Sequence, residues 1–178
     1  MAVWSAVLTR DGRFHTSLKR VFDALEGRQR HWDFLLLGVE ACPREHREFE
    51  LVNQVPRWIS GAELTAMAET EDFQWVWGAL LAYPPDCCRS SCLKQVRALC
   101  PPGGPDEESW GVRRNFEGTG AAFLILAADS SLTELVSADR DLIDCFSAHE
   151  PGAKLTLQAS EGGISDGTEP GTDYPPVV

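Results

Sequence analysis

A chain of 178 residues with 43% apolar and 24% charged side chains can bury a sizeable core without disulfide or metal staples. Twenty-seven acidic against sixteen basic residues give a net charge of −11. That sign argues against a binder of nucleic-acid phosphates or anionic membrane surfaces and favours a basic protein partner.

Residues 1–10 read as a strand carrying Val3, Val7 and Leu8, and Asp11-Gly12 marks a turn. Phe14, Leu18, Val21, Phe22 and Leu25 recur at helical spacing, with Thr16 or Ser17 near the start and Gly27 as the expected C-terminal cap. Phe34–Val39 is a short apolar run and predicts a buried strand. The charged segment 43–54 is irregular, with Phe49, Leu51 and Val55 as the apolar side of an edge strand.

Ser60 and Glu63 have the spacing of a capping box, and Leu64, Met67 and Ala68 give the helix that follows an apolar face. Phe73–Tyr83 is rich in aromatic and β-branched residues at its start and stops at Pro84-Pro85, which favours a strand, although its length leaves a helix open. Residues 84–109 read as a cysteine- and proline-rich loop insert, with Leu93, Val96 and Leu99 on one side of a short local helix. Ala121–Ala128 predicts a buried strand, Asp129–Ser131 a turn, and Leu132–Ser137 its hairpin partner. Asp139 opens a helix with Leu142, Ile143 and Phe146 inward, and Lys154–Gln158 closes as an edge strand. Residues 159–178 hold too little apolar surface to offset ordering entropy and read as a disordered acidic tail. Its four acids account for the change from −11 to −7 when it is left out.

The expected fold is therefore α+β: residues 1–158 form one domain around a single mixed or mainly antiparallel sheet, with about three short helices packed on it. No run reaches the ~18–20 apolar residues of a membrane span. Met1–Thr9 lacks the basic leader and cleavage site of a signal peptide. A cytoplasmic protein is expected, with Cys42, Cys87, Cys88, Cys92, Cys100 and Cys145 mostly reduced.

Catalytic signatures are missing. His15, His31, His46 and His149 are scattered among polar neighbours, and no nucleophile sits in a Gly-x-Ser-x-Gly elbow. Cys87, Cys88, Cys92 and Cys100 lack the paired Cys-x-x-Cys knuckles of a structural zinc site, so free thiols are expected. No catalytic residue, metal ligand or cofactor is assigned.

Between Arg57 and Arg89 there is no Lys or Arg, while Glu63, Glu69, Glu71 and Asp72 interleave with Trp58, Phe73, Trp75 and Trp77. These aromatics either fill the core or anchor a partner, since tryptophan is enriched at binding hot spots. The partner-binding residues expected on the second reading are Trp58, Glu63, Glu69, Glu71, Asp72 and Trp75. Three alternatives stand beside it: an enzyme of unrecognised class with Asp129, Glu134 and Asp139 around a cleft, a zinc-binding regulator built on the Cys87–Cys100 loop, and a structural domain that assembles only with copies of itself.

Ile59-Ser-Gly-x-Glu-Leu64, Gln74-Trp-x-Trp-Gly78 with Ala82 and Pro84, and Asp129–Ser137 followed by Asp139 resemble a family of small bacterial proteins associated with immunity to secreted polymorphic toxins. The resemblance spans about residues 58–150. It implies a non-enzymatic protein that neutralises a basic toxin by occlusion.

Overall fold

The computed structural model describes residues 2–9, 16–44 and 46–158. The Asp11-Gly12 turn, Phe14 and the 159–178 tail lie outside the described residues.

Among the described residues seven strands form one antiparallel sheet: β1 (Val3–Thr9), β2 (Asp33–Cys42), β3 (Arg57–Ser60), β4 (Gln74–Tyr83), β5 (Phe123–Ala128), β6 (Leu132–Ser137) and β7 (Lys154–Gln158). Their order across the sheet is β3-β2-β4-β5-β6-β1-β7. The helices are α1 (Leu18–Ala24), α2 (His46–Asn53), α3 (Gly61–Thr70), α4 (Arg89–Leu99), α5 (Pro105–Arg114), α6 (Phe116–Thr119) and α7 (Arg140–His149), with a 3-10 turn over Arg28–His31. The α+β class and the antiparallel sheet agree with the sequence reading. The helix count exceeds the expected three, and the sheet is larger than foreseen.

Alternation along the strands splits the core in two. Phe34, Leu36, Leu80, Ala82, Phe123 and Ile125 face α1, α3 and α7. Leu35, Leu37, Leu81, Leu124 and Leu126 face Val96 of α4, Val112 of α5 and Phe116 of α6. Burying both faces of β2, β4 and β5 is what makes their sequences read as continuous apolar runs instead of alternating ones. Among the described residues nothing covers the edge strand β7 in this way, and Leu155 and Leu157 are about half exposed.

Residues 84–109 are the largest departure from expectation. The expected local helix is α4, but the segment also holds the start of α5 and forms much of the layer that covers the second face of the sheet. The sequence does contain the signals. Pro105 stands at the first turn of α5, Asp106, Glu107 and Glu108 follow it, and Arg113 and Arg114 end the helix, an order that suits proline geometry and the helix dipole. Its few apolar residues hid it. The expected edge strand around Phe49 and Leu51 is instead α2, with Val52 as the inward residue, and the edge is β3.

Elsewhere the local chemistry acts as anticipated. Ser17 Oγ accepts from the Arg20 N–H at 3.2 Å and Ser60 Oγ from the Glu63 N–H at 3.2 Å. Asp139 caps α7 by accepting from the Asp141 and Leu142 N–H groups. Gly27, expected as the C-terminal cap of α1, is not that cap: Leu25 is, because α1 ends at Ala24, and Gly27, at φ 81°, opens the 3-10 turn.

The α5 layer is attached through a bulge. Between Leu37/Ala79 and Glu40/Trp77 the β2–β4 register shifts, and Gly38 there has φ 54°. The bulge moves Val39 onto the α1/α3 face while Leu35 and Leu37 stay on the α5 face. It also frees the Gly38 backbone: its N–H donates to the Glu108 carboxylate and its carbonyl accepts from Ser109 Oγ at 3.2 Å. Glu108 is buried and also accepts from Arg97 of α4, so one carboxylate joins α4, α5 and β2.

Candidate functional site

The acidic window of the sequence folds into α3 and its two ends. Glu63 lies in the first turn, where a carboxylate suits the positive end of the helix dipole. Glu69 is in the last turn, Glu71 is the C-terminal cap, and Asp72 follows at the surface. Leu64, Met67 and Ala68 turn inward, so α3 presents an outer surface with no basic residue.

Two clefts flank this ridge. The larger, about 450 Å³, lies between α2 and α3. Glu48, Glu63 and Glu71 line it with Arg44 and Arg47, over an apolar floor of Leu51 and Met67. Glu71 is tied down there: its two carboxylate oxygens accept from the Arg44 backbone N–H at 3.1 and 3.2 Å. The smaller cleft, about 240 Å³, lies between α1 and α3 and is lined by Lys19, Asp23, Glu26, Arg30 and Glu69 among others. Its cations are already paired, Lys19 with Asp23 at 2.6 Å and Arg30 with Glu69 at 2.5 Å. Asp23, and after it Asp72 and Glu69, hold the exposed Lys19 ammonium above its ordinary range.

The two tryptophans expected beside these acids lie elsewhere. Trp75 is 1% exposed, stacked on Phe73 with ring centres 5.5 Å apart, and belongs to the core under α1 and α3. It offers no surface to a partner. Trp58 is half-buried on the opposite face of the sheet, against Tyr83 at 5.4 Å and beneath the Arg89 guanidinium at 5.5 Å. Strand alternation is the reason: Trp58 pairs with Leu35, and both point away from α3. The exposed aromatic nearest in sequence to the large cleft is Phe49, next to Glu48 on α2 and 48% exposed.

The carboxylates of the enzyme alternative do not share a cleft. Asp129 is in the β5–β6 turn, with φ 50°. Glu134 is buried in an ion pair with Arg113, and Asp139 caps α7 at the far end of β6. The cysteine loop is likewise dispersed. Cys88 caps the N-terminus of α4 and Cys100 its C-terminus. At ~1.5 Å per residue that separates them by roughly 18 Å. Cys100 is 2% exposed, and burial pushes its thiol up. Burial, then Cys92 and Asp33, push Cys87 up to about 11. Cys88 moves the other way, to about 7, because Ser90 and Ser91 hydrogen-bond its sulfur.

Among the described residues one group of three metal-ligating side chains converges, Glu26, Cys145 and His149. Sequence reasoning passed over it, although Cys145 and His149 are four apart on a helix and so share a face.

The fold and the ridge define an antiparallel α+β protein with an acidic helix between two clefts. Comparison with family models, curated proteins and solved structures gives no match for the chain. Among the described residues no helix is long and apolar enough to cross a membrane.

Proposed function

We propose that the chain is a non-enzymatic binding domain that receives a segment of a basic protein along α3, with the α2–α3 cleft accepting one of its side chains. The observation that carries this reading is the ridge itself. Glu63 and Glu69 project from α3 and Asp72 from the segment just after it. The helix itself carries no basic residue, although Arg30 of the 3-10 turn pairs with Glu69. Beside it lies a cleft of about 450 Å³ with an apolar floor. An alkyl-stemmed cation fits such a lining, because its methylenes lie on Leu51 and Met67 while its charge meets Glu48 or Glu63. Phe49 replaces Trp58 and Trp75 as the aromatic anchor in this reading. The immunity-family resemblance names the partner class, a secreted toxin domain whose active site would be covered.

The test uses lysine- and arginine-rich peptides as probes, with a glutamate-rich peptide as control. Binding of the basic probes is expected to weaken steeply with salt, since exposed charges are screened beyond ~10 Å at 0.1 M. Joint reversal of Glu63→Lys, Glu69→Lys and Asp72→Lys is expected to lower affinity at least tenfold with the fold retained. Unchanged affinity in that variant removes the ridge from the mechanism. If a toxin domain is encoded beside this chain, growth arrest by it that co-expression does not relieve would remove the immunity role.

A further inference from the structure

A second feature lies on the α1–α7 side of the molecule, apart from the α2–α3 cleft. Glu26 follows the C-terminal cap of α1, and Cys145 and His149 lie one turn apart near the end of α7. A carboxylate oxygen, a sulfur and a ring nitrogen come within 4.8 Å of one another. We infer that these three side chains form a binding site for a borderline-soft divalent cation, zinc in the first instance, that bridges the end of α1 to α7.

Four arguments converge on this. The donor set mixes thiolate, imidazole and carboxylate, the three ligand types zinc uses, whereas magnesium and calcium select all-oxygen sets. His149 Nδ1 is 3.0 Å from the Cys145 carbonyl oxygen. That oxygen can only accept, so Nδ1 carries the proton and the lone pair sits on Nε2. A backbone carbonyl on the distal nitrogen is the usual orienting partner of a metal-bound histidine.

Helix ends supply the field. Cys145 Sγ donates to the Ala24 carbonyl at 3.1 Å, so the C-termini of α1 and α7 both direct carbonyl oxygens toward the group. Those termini carry partial negative charge and favour a cation. Finally, the group is accessible: Glu26 and His149 are exposed and Cys145 is half-buried.

A cysteine nucleophile served by His149 is the competing use of the same residues. Cys145 Sγ instead lies against the Ala24 carbonyl oxygen and within 4.8 Å of a Glu26 carboxylate oxygen, two negative neighbours that oppose a free thiolate. An attacking cysteine needs cationic surroundings. A divalent ion relieves the conflict: it replaces the thiol proton, which leaves to solvent, and neutralises the Cys145 thiolate and Glu26 carboxylate together. Three protein ligands leave a fourth position for water or for a donor from outside the chain.

The full chain, reduced and stripped with chelator under anaerobic conditions, is titrated with Co2+ and then Zn2+. One Co2+ per chain is expected, with tetrahedral d–d bands and a thiolate-to-cobalt charge-transfer band that Zn2+ abolishes. Cys145→Ser is expected to remove the charge-transfer band, and His149→Ala and Glu26→Gln each to weaken binding at least tenfold. Cys87→Ser, Cys88→Ser and Cys92→Ser are expected to leave the spectrum unchanged. No stoichiometric Co2+ uptake overturns the site, as does a band that survives in Cys145→Ser or disappears with the α4 cysteines. Should Cys145→Ser lose its near-ultraviolet circular dichroism, the exposed Glu26→Gln variant decides: unaltered affinity there also overturns the site.

Discussion

Arg113 of α5 grips Glu134 of β6 with one edge of its guanidinium, Nε donating at 2.5 Å and a terminal nitrogen at 2.6 Å to the two carboxylate oxygens. Both side chains are largely buried, 14% and 5% exposed. This fork fastens the α4–α6 layer to the sheet at a point where the contact is ionic instead of apolar. Removing one partner leaves a buried charge uncompensated, which costs about 3–5 kcal/mol, whereas replacing both by apolar residues is often neutral. Arg113→Ala is therefore expected to lower stability by about that amount in urea denaturation. The double variant Arg113→Met/Glu134→Leu is expected to recover most of the loss.

Gly38 is expected to be the least replaceable glycine of the sheet. Its φ of 54° disfavours any side chain, and an added Cβ would lie 2.6 Å from the Pro105 carbonyl oxygen and 2.8 Å from Ser109 Oγ. Backbone strain and overpacking of this kind each cost about 1–3 kcal/mol. Gly38→Ala should shift the denaturation midpoint accordingly. Gly27, with positive φ but open space around it, should tolerate alanine better.

The two tryptophans separate core from surface. Trp75→Ala should cost about 3–5 kcal/mol, as for other large aromatics removed from a core, and should leave the affinity of refolded protein for basic peptides unchanged. Trp58→Phe keeps a ring against Tyr83 and should cost less than about 1.5 kcal/mol. Thermal unfolding and peptide titration of the same preparations measure both quantities.

Cys88 should be the first thiol to react. With its acidity drawn to about 7 by Ser90 and Ser91, about half of it is thiolate at neutral pH. Alkylation of Cys88 should therefore accelerate as pH rises through about 7 and level off above it. Cys87, pushed up to about 11, should gain reactivity only in strong alkali, and buried Cys100 only on unfolding. Mass spectrometry after brief iodoacetamide pulses reads the order. Loss of the fastest phase in Cys88→Ser confirms the assignment, and its persistence contradicts it.

Much of the fold was legible because local chemistry and tertiary packing agree. Caps at Ser17, Ser60 and Asp139, and the apolar runs of β2, β4 and β5, mark elements whose signals lie within a few residues of sequence. α5 was hidden because its contribution to the core is small, Val112 and the buried carboxylate of Glu108, whereas Leu93, Val96 and Leu99 made the short helix α4 legible. Buried polar anchors carry no hydrophobic periodicity, so such a helix reads as loop until its partners Gly38, Arg97 and Arg113 are placed in space.

The candidate sites divide along the same line. That the chain is acidic, that a basic-free window runs from Trp58 to Cys88, and that a capped helix begins at Ser60 follow from the sequence alone. Which aromatics share a surface with those acids does not. Strand alternation sends Trp58 to one face of the sheet, a bulge at Gly38 resets the facing of β2, and Trp75 ends in the core. Only tertiary structure brings Glu26 across to Cys145 and His149, because that meeting depends on how α1 and α7 pack on the same face of the sheet. No spacing along the chain encodes it.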